Sequence, residues 1–204
     1  FFDKFVEKGL IEKLTKFKQY EISNFAISED FQGKHNLNYW NLGKYETEDQ
    51  VAAAQYFGKL PYIDEDRMAI WGWSYGGFMA LNCLTYGNET FKAGISIAPV
   101  TDWRLYNTAY TERFMSTPQE NDLGYEQSDL ITKAHLLKGK LLLCHGTADD
   151  NVHFQHAMLY CDALVEAGIQ FEMQIYPNKN HSILGAKTRY HLYTRFNTFL
   201  KNNL

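Results

Sequence analysis

No apolar run in this 204-residue sequence approaches the roughly 18–20 residues that a membrane span needs. The longest apolar stretches have the length of strands. Excess charge is also lacking, with 20 Lys and Arg against 24 Asp and Glu and a net charge of −4. That balance gives no electrostatic case for a nucleic-acid or polyanion partner. Cysteine is scarce. Cys83, Cys144 and Cys161 are an odd number with no CxxC spacing, and each falls inside an expected helix or strand, so buried free thiols are expected rather than a disulfide framework. Internal repeats and low-complexity tracts are missing. The opening FFDKFVEKGL is charged and amphipathic, without an h-region or cleavage site, and does not read as a secretory leader.

What is present suits one globular domain, because 45% hydrophobic residues in a chain of this length can fill a sizeable core. From residue 46 the pattern alternates. Helices are expected over 47–60, 76–87, 103–115, 153–168 and 188–203, and strands over 67–73, 92–100, 140–146 and 171–177. Strands alternating with helices predict the α/β class: a mostly parallel sheet with helices on both faces and right-handed crossovers. Residues 1–45 differ. They suggest an amphipathic helix over 1–18, one strand over 19–27 and an irregular connection over 28–45, so the alternation begins midway through a sheet.

The string GWSYGG, residues 72–77, places a serine between glycines where a strand gives way to a helix. It fits G-x-S-x-G, in which a serine sits on a strained turn and small neighbours let strand and helix pack. Such a turn lifts the Ser74 hydroxyl clear of the sheet edge and leaves the N–H of Tyr75 facing a developing oxyanion. A serine nucleophile needs a base, and the base an orienting carboxylate. In an open α/β sheet both should lie in loops at the carboxyl ends of later strands, in the order Ser, Asp, His. CHGTADDNVHF follows the strand 140–146 and offers Asp149 or Asp150; YPNKNHS follows the strand 171–177 and offers His181. Taken singly, the Asp-Asp-Asn run is an ordinary turn or capping cluster, and a loop histidine is usually solvated. The joint order and placement carry the reading. His145, Asp149, Asp150, His153 and His156 also suggest a metal site, His153 and His156 being three apart on a helix. The hydrolase pattern already uses that loop, so no metal is assigned.

From about Leu42 to Leu204 the chain resembles the dipeptidyl peptidase IV branch of the prolyl oligopeptidase family, which are α/β-hydrolase serine peptidases. The strings that carry the resemblance are LGKYETEDQ, IWGWSYGG, APVTDW, YTERFM, HGTADDNVHFQ and NHS. The resemblance implies Ser74 as nucleophile, Asp149 rather than Asp150 as orienting acid and His181 as general base, with the Tyr75 N–H in the oxyanion hole. It implies a pocket for a proline ring walled by Tyr106, Tyr110, Trp103, Val100 and Val152, and an Asn151 that donates to a substrate carbonyl. Tyr106 and Tyr110 are four apart, so a helix would place them on one face. Without the resemblance, this stripe reads as core packing. No cofactor is implied. The implied substrate is a peptide with Pro or Ala near its N-terminus, and the implied location a bacterial periplasm or cell surface.

Residues 1–41 do not share that resemblance. QYEISNFA and HNLNYW resemble oxygen-independent coproporphyrinogen III oxidase, a radical S-adenosylmethionine enzyme, but the sequence has no CxxxCxxC motif and no iron–sulfur chemistry follows. Together the two resemblances imply a chimera joined near Trp40–Leu42, with 42–204 the C-terminal half of a peptidase catalytic domain. The peptidases' β-propeller, and the acidic residues that hold a substrate's amino terminus, have no counterpart here. The tyrosine that completes their oxyanion hole would fall in the unmatched part. A second reading is therefore an incomplete, weak or inactive hydrolase domain with only a binding or structural role. The edge of strand 67–73 away from 92–98 then needs a partner, either residues 20–27 or another molecule, a homo-oligomer included. Two glycosylation sequons begin at Asn88 and Asn180, and a glycan at Asn180 would crowd the proposed base.

Overall fold

The computed structural model describes residues 39–87 and 89–204. The chain divides into two units, Phe1–Tyr39 and Trp40–Leu204, and every element described lies in the second. The helix expected at 1–18, the strand at 19–27 and the pairing of 20–27 with 67–73 lie outside the described residues, as does Asn88.

Four parallel strands form the sheet: β1 (Ala69–Trp73), β2 (Ala93–Ile97), β3 (Lys140–Gly146) and β4 (Glu172–Tyr176), in the order β1-β2-β3-β4. Each parallel return needs a crossover, and helices supply them. In chain order the helices are α1 (Lys44–Gly58), α2 (Tyr75–Tyr86), α3 (Thr108–Met115), α4 (Asp122–Ser128), α5 (Gln155–Glu166) and α6 (Ala186–Asn203). Alternation along β3 explains the layers. Leu141 and Leu143 join a core with Phe78 and Leu81 of α2 and Ala157, Tyr160 and Leu164 of α5. Leu142 and Cys144 point the other way, into a core with Leu192, Phe196 and Phe199 of α6. Both faces of the sheet are thus covered, as the alternating sequence requires. Cys83, Cys144 and Cys161 are free and buried.

Position in the sheet decides burial. All five residues of β2 are buried, whereas β1, an edge strand among the described residues, exposes Trp71 by 59%. Residues 67–73 keep the expected neighbour, with Ala69 opposite Ala93 and Trp73 opposite Ile97.

One expected helix is broken. Residues 103–115 form a single 3-10 turn, Trp103–Leu105, and then α3. Asn107 causes the division: its side-chain oxygen accepts the Tyr110 N–H and caps α3 from an extended backbone. Tyr106 therefore precedes the helix, and the argument that Tyr106 and Tyr110 share one helical face does not hold. The short helix α4 was not expected from the sequence. Seven residues span too few turns to show a 3.6-residue period, and only its Asn121 cap, accepting the Gly124 N–H, marks it.

Candidate active site

Ser74 stands alone between the end of β1 and the start of α2, at φ 60 and ψ −119. A non-glycine residue rarely occupies that region, and the surroundings must hold it there. Its N–H donates to the Ile97 carbonyl at 2.8 Å, and its carbonyl accepts the Phe78 N–H at 3.0 Å. Steric room does the rest. A Cβ at Gly72 would lie 2.0 Å from the Gly76 carbonyl oxygen, and one at Gly77 would lie 2.7 Å from the Ile97 oxygen. A Cβ at Gly76 would meet nothing within 4 Å. The tight contacts thus fall on Gly72 and Gly77, not on both glycines of the pentapeptide.

Tyr75 opens α2, so its N–H has no carbonyl one turn back to bind. Its ring packs against Phe78 and Trp103, with centroids 5.6 Å away in both cases. Its hydroxyl donates to the Glu46 carboxylate, which also accepts the Gly43 N–H at the start of α1. Burial, reinforced by the Glu46 charge, raises the Tyr75 phenol well above its ordinary pKa. The sequence reading missed Glu46. Its only signal was a capping-box glutamate three residues after Gly43.

The loops after β3 and β4 converge. Thr147 N–H donates to the Tyr176 carbonyl at 3.1 Å and Ala148 N–H to the Lys179 carbonyl at 3.0 Å. Gly146 permits this approach, since a Cβ there would lie 2.2 Å from the Lys179 oxygen. Within the joined loops, His181 Nδ1–H donates to Asp149 Oδ2 at 2.7 Å. Asp149 Oδ1 accepts the N–H groups of Asn151 at 3.0 Å and Val152 at 2.9 Å. Burial alone would raise the Asp149 pKa. Hydrogen bonds from His145, His181 and the Asn151 N–H outweigh it and hold the carboxyl well below the ordinary carboxylate range. Asp150 is exposed. The loop that carries His181 also touches the serine turn, because Trp73 Nε1–H donates to the His181 carbonyl at 2.8 Å. Among the described residues the Ser74 hydroxyl makes no hydrogen bond.

Beside Tyr75 lies an aromatic group. Trp103 is buried, stacks with Tyr110 at 5.9 Å and 18°, and meets Tyr106 edge-on at 5.8 Å. Tyr106 and Tyr110 are themselves edge-to-face at 5.5 Å. Val100 and Val152 are buried in the same core as Trp103. The Tyr106 hydroxyl donates to Asn151 Oδ1 at 2.6 Å, linking the aromatic group to the acid loop. His156 of α5 supports it from within: Thr101 N–H donates to its Nδ1 at 3.1 Å, anchoring the segment between β2 and Trp103. Burial lowers the His156 pKa from 6.5 to about 4. A separate cavity of about 660 Å³ opens between α1, α2 and α4, lined by Leu42, Val51, Asn82 and Tyr86. None of Ser74, Asp149, His181, Trp103, Tyr106 and Tyr110 lines it.

The model of the prolyl oligopeptidase family matches residues 26–204. The chain belongs to the prolyl oligopeptidase family. A protein of Aspergillus oryzae named probable dipeptidyl-aminopeptidase B is 46% identical over 165 residues, covering 79% of this chain and 18% of that protein. Its namesake in Arthroderma benhamiae is 49% identical over 146 residues, covering 70% and 16%. The crystal structure of Porphyromonas gingivalis dipeptidyl peptidase 4 superposes with a TM-score of 0.80 at 57% identity, covering 82% of this chain and 24% of that one. The chain thus spans less than a quarter of the length of these relatives. Its parallel sheet, covered on both faces, is part of an α/β-hydrolase fold. The family match begins inside the segment 1–41 that the sequence set apart, and the resemblance of that segment to a coproporphyrinogen oxidase finds no support here. No helix among the described residues is long and apolar enough to cross a membrane.

Proposed function

We propose that residues 42–204 are the nucleophile-bearing, C-terminal half of a serine peptidase catalytic domain, acting on peptides with Pro or Ala near the N-terminus. The observation that carries this reading is the contact at 2.7 Å between the buried Asp149 and the half-buried His181, in loops bonded through Trp73 to the turn that bears Ser74. In this mechanism Ser74 Oγ attacks the scissile carbonyl while His181 Nε2 takes its proton. Asp149 keeps the proton of His181 on Nδ1, which leaves Nε2 free as base, and stabilises the imidazolium that forms. The Tyr75 N–H faces the oxyanion. His181 then returns the proton to the leaving amine, and water repeats the cycle to free Ser74. Tyr106 and Tyr110, set against Trp103, offer flat apolar faces to a pyrrolidine ring. Asn151 receives the Tyr106 hydroxyl on its oxygen, and its amide N–H groups are the donors for a substrate carbonyl.

A second reading, an incomplete hydrolase domain with only a binding or structural role, is favoured by the Ser74 hydroxyl, which makes no hydrogen bond among the described residues. A missing oxyanion donor typically costs about 10²–10³-fold in turnover. Labelling by a fluorophosphonate probe separates the two readings. The wild-type chain should label and Ser74→Ala should not. Equal labelling of both would remove Ser74 as nucleophile, and no labelling of either would favour the incomplete domain.

A further inference from the structure

We propose that His145 is a positioning residue for the Asp149–His181 pair: its single Nε2–H ties the carboxylate to the carbonyl of Val152 and fixes Asp149 Oδ2 toward His181. This rests on the peptidase reading for its meaning in catalysis, but the contacts stand by themselves. His145 is the penultimate residue of β3 and is wholly buried. Its Nε2 lies 2.9 Å from the Val152 carbonyl oxygen and 3.3 Å from Asp149 Oδ2. Both of those atoms only accept, so Nε2 carries the proton. Its Nδ1 has no hydrogen-bond partner. The ring also meets Phe154 edge-to-face at 5.6 Å.

The two carboxylate oxygens of Asp149 thus have separate tasks. Oδ1 closes its own loop by accepting the N–H groups of Asn151 and Val152. Oδ2 accepts from two imidazoles, one in the proposed site and one behind it. With His145 in place, rotation of the carboxylate away from His181 breaks a bond on the buried side as well. The same N–H holds Val152, so the acid and the loop that carries Asn151 are fixed to one ring. An apolar side chain of similar volume could fill the space, but it would leave the Val152 carbonyl short of a donor in the dry interior. That requirement is electrostatic and separates positioning from filling.

Imidazole ¹⁵N–¹H spectra of the full chain test this without relying on turnover. Wild type should show His145 as the Nε2–H tautomer and a slowly exchanging His181 Nδ1–H. In His145→Leu the His181 Nδ1–H signal should shift and exchange faster, and fluorophosphonate labelling should slow by roughly 10- to 100-fold, as expected for one lost hydrogen bond to a charged group. His145→Gln, which keeps an N–H donor, should restore most of both. An Nδ1–H tautomer for His145 in wild type would overturn the proposal. So would a folded His145→Leu with an unchanged His181 signal, or a Gln variant as impaired as Leu. If Leu prevents folding, the wild-type and Gln spectra decide. Failure of wild type to label counts against the peptidase reading and leaves His145 to the spectra.

Discussion

The turn around Ser74 and the loop around Asp149 are held by different physics. The serine turn depends on absence of bulk: Gly72 and Gly77 let backbone approach backbone, and only two main-chain bonds pin Ser74 itself. The acid loop depends on polar saturation, with four donors converging on one carboxylate. Steric support fails abruptly, because a backbone atom 2.0 Å away cannot yield. Polar support fails by degrees, one hydrogen bond at a time. Substitutions on the two sides should therefore differ in kind: at the turn they attack folding, and at the loop they attack chemistry while the fold survives.

The largest expected effect sharpens that contrast. Asp149→Asn should reduce turnover by roughly 10⁴-fold, because the amide favours the wrong tautomer of His181, while the fold persists. Steady-state kinetics and circular dichroism of the variant check both halves. On the turn side, Gly72→Ala should destabilise the fold by about 4 kcal/mol, since the contact is with backbone. Gly76→Ala, in open space on a helix, should change stability by at most about 1 kcal/mol. Urea unfolding of the pair would break the comparison if the two behaved alike.

Acid should also act on the polar side. The folded pKa of His156 is depressed to about 4 from 6.5, so the unfolded chain binds more protons between those values. Its contribution to stability is complete above pH 6.5 and declines as pH falls toward 4, by about 2 kcal/mol at pH 5. Urea midpoints at pH 5 and pH 7 should differ less in His156→Gln than in wild type. An equal difference would remove His156 as the source. The smallest effect concerns the aromatic group. Tyr110→Ala removes the ring stacked on Trp103 and should weaken binding of proline-type substrates by about 1–2 kcal/mol, measured as a rise in KM. An unchanged KM would return Tyr110 to a packing role.

Much of the sheet was legible because its strands carry strong local signals. The run KLLLCHG is apolar on both faces and forms β3 over the residues expected, and the helix after GWSYGG begins one residue before the expected start. Asp149 and His181 could be placed at one sheet edge because each follows the carboxyl end of a strand. The choice between Asp149 and Asp150 was not readable from spacing, since adjacent residues differ only in which way the loop turns. His145, Glu46 and His156 were not readable as supports. Each looks ordinary in its own segment, and its partner lies on another element or across a turn. The division of 103–115 was missed because Asn107 acts as a cap only once its oxygen meets the Tyr110 N–H.

The sequence by itself determined the α/β alternation, the parallel order of strands and helices, and the succession of Ser74, Asp149 and His181 beyond strand ends, because periodicity and turn residues act over short spans. Only the tertiary structure decided which glycines the serine turn needs and which buried histidines stand behind the site. Those outcomes depend on distances between segments far apart in the chain, and no local pattern encodes a distance that packing alone sets.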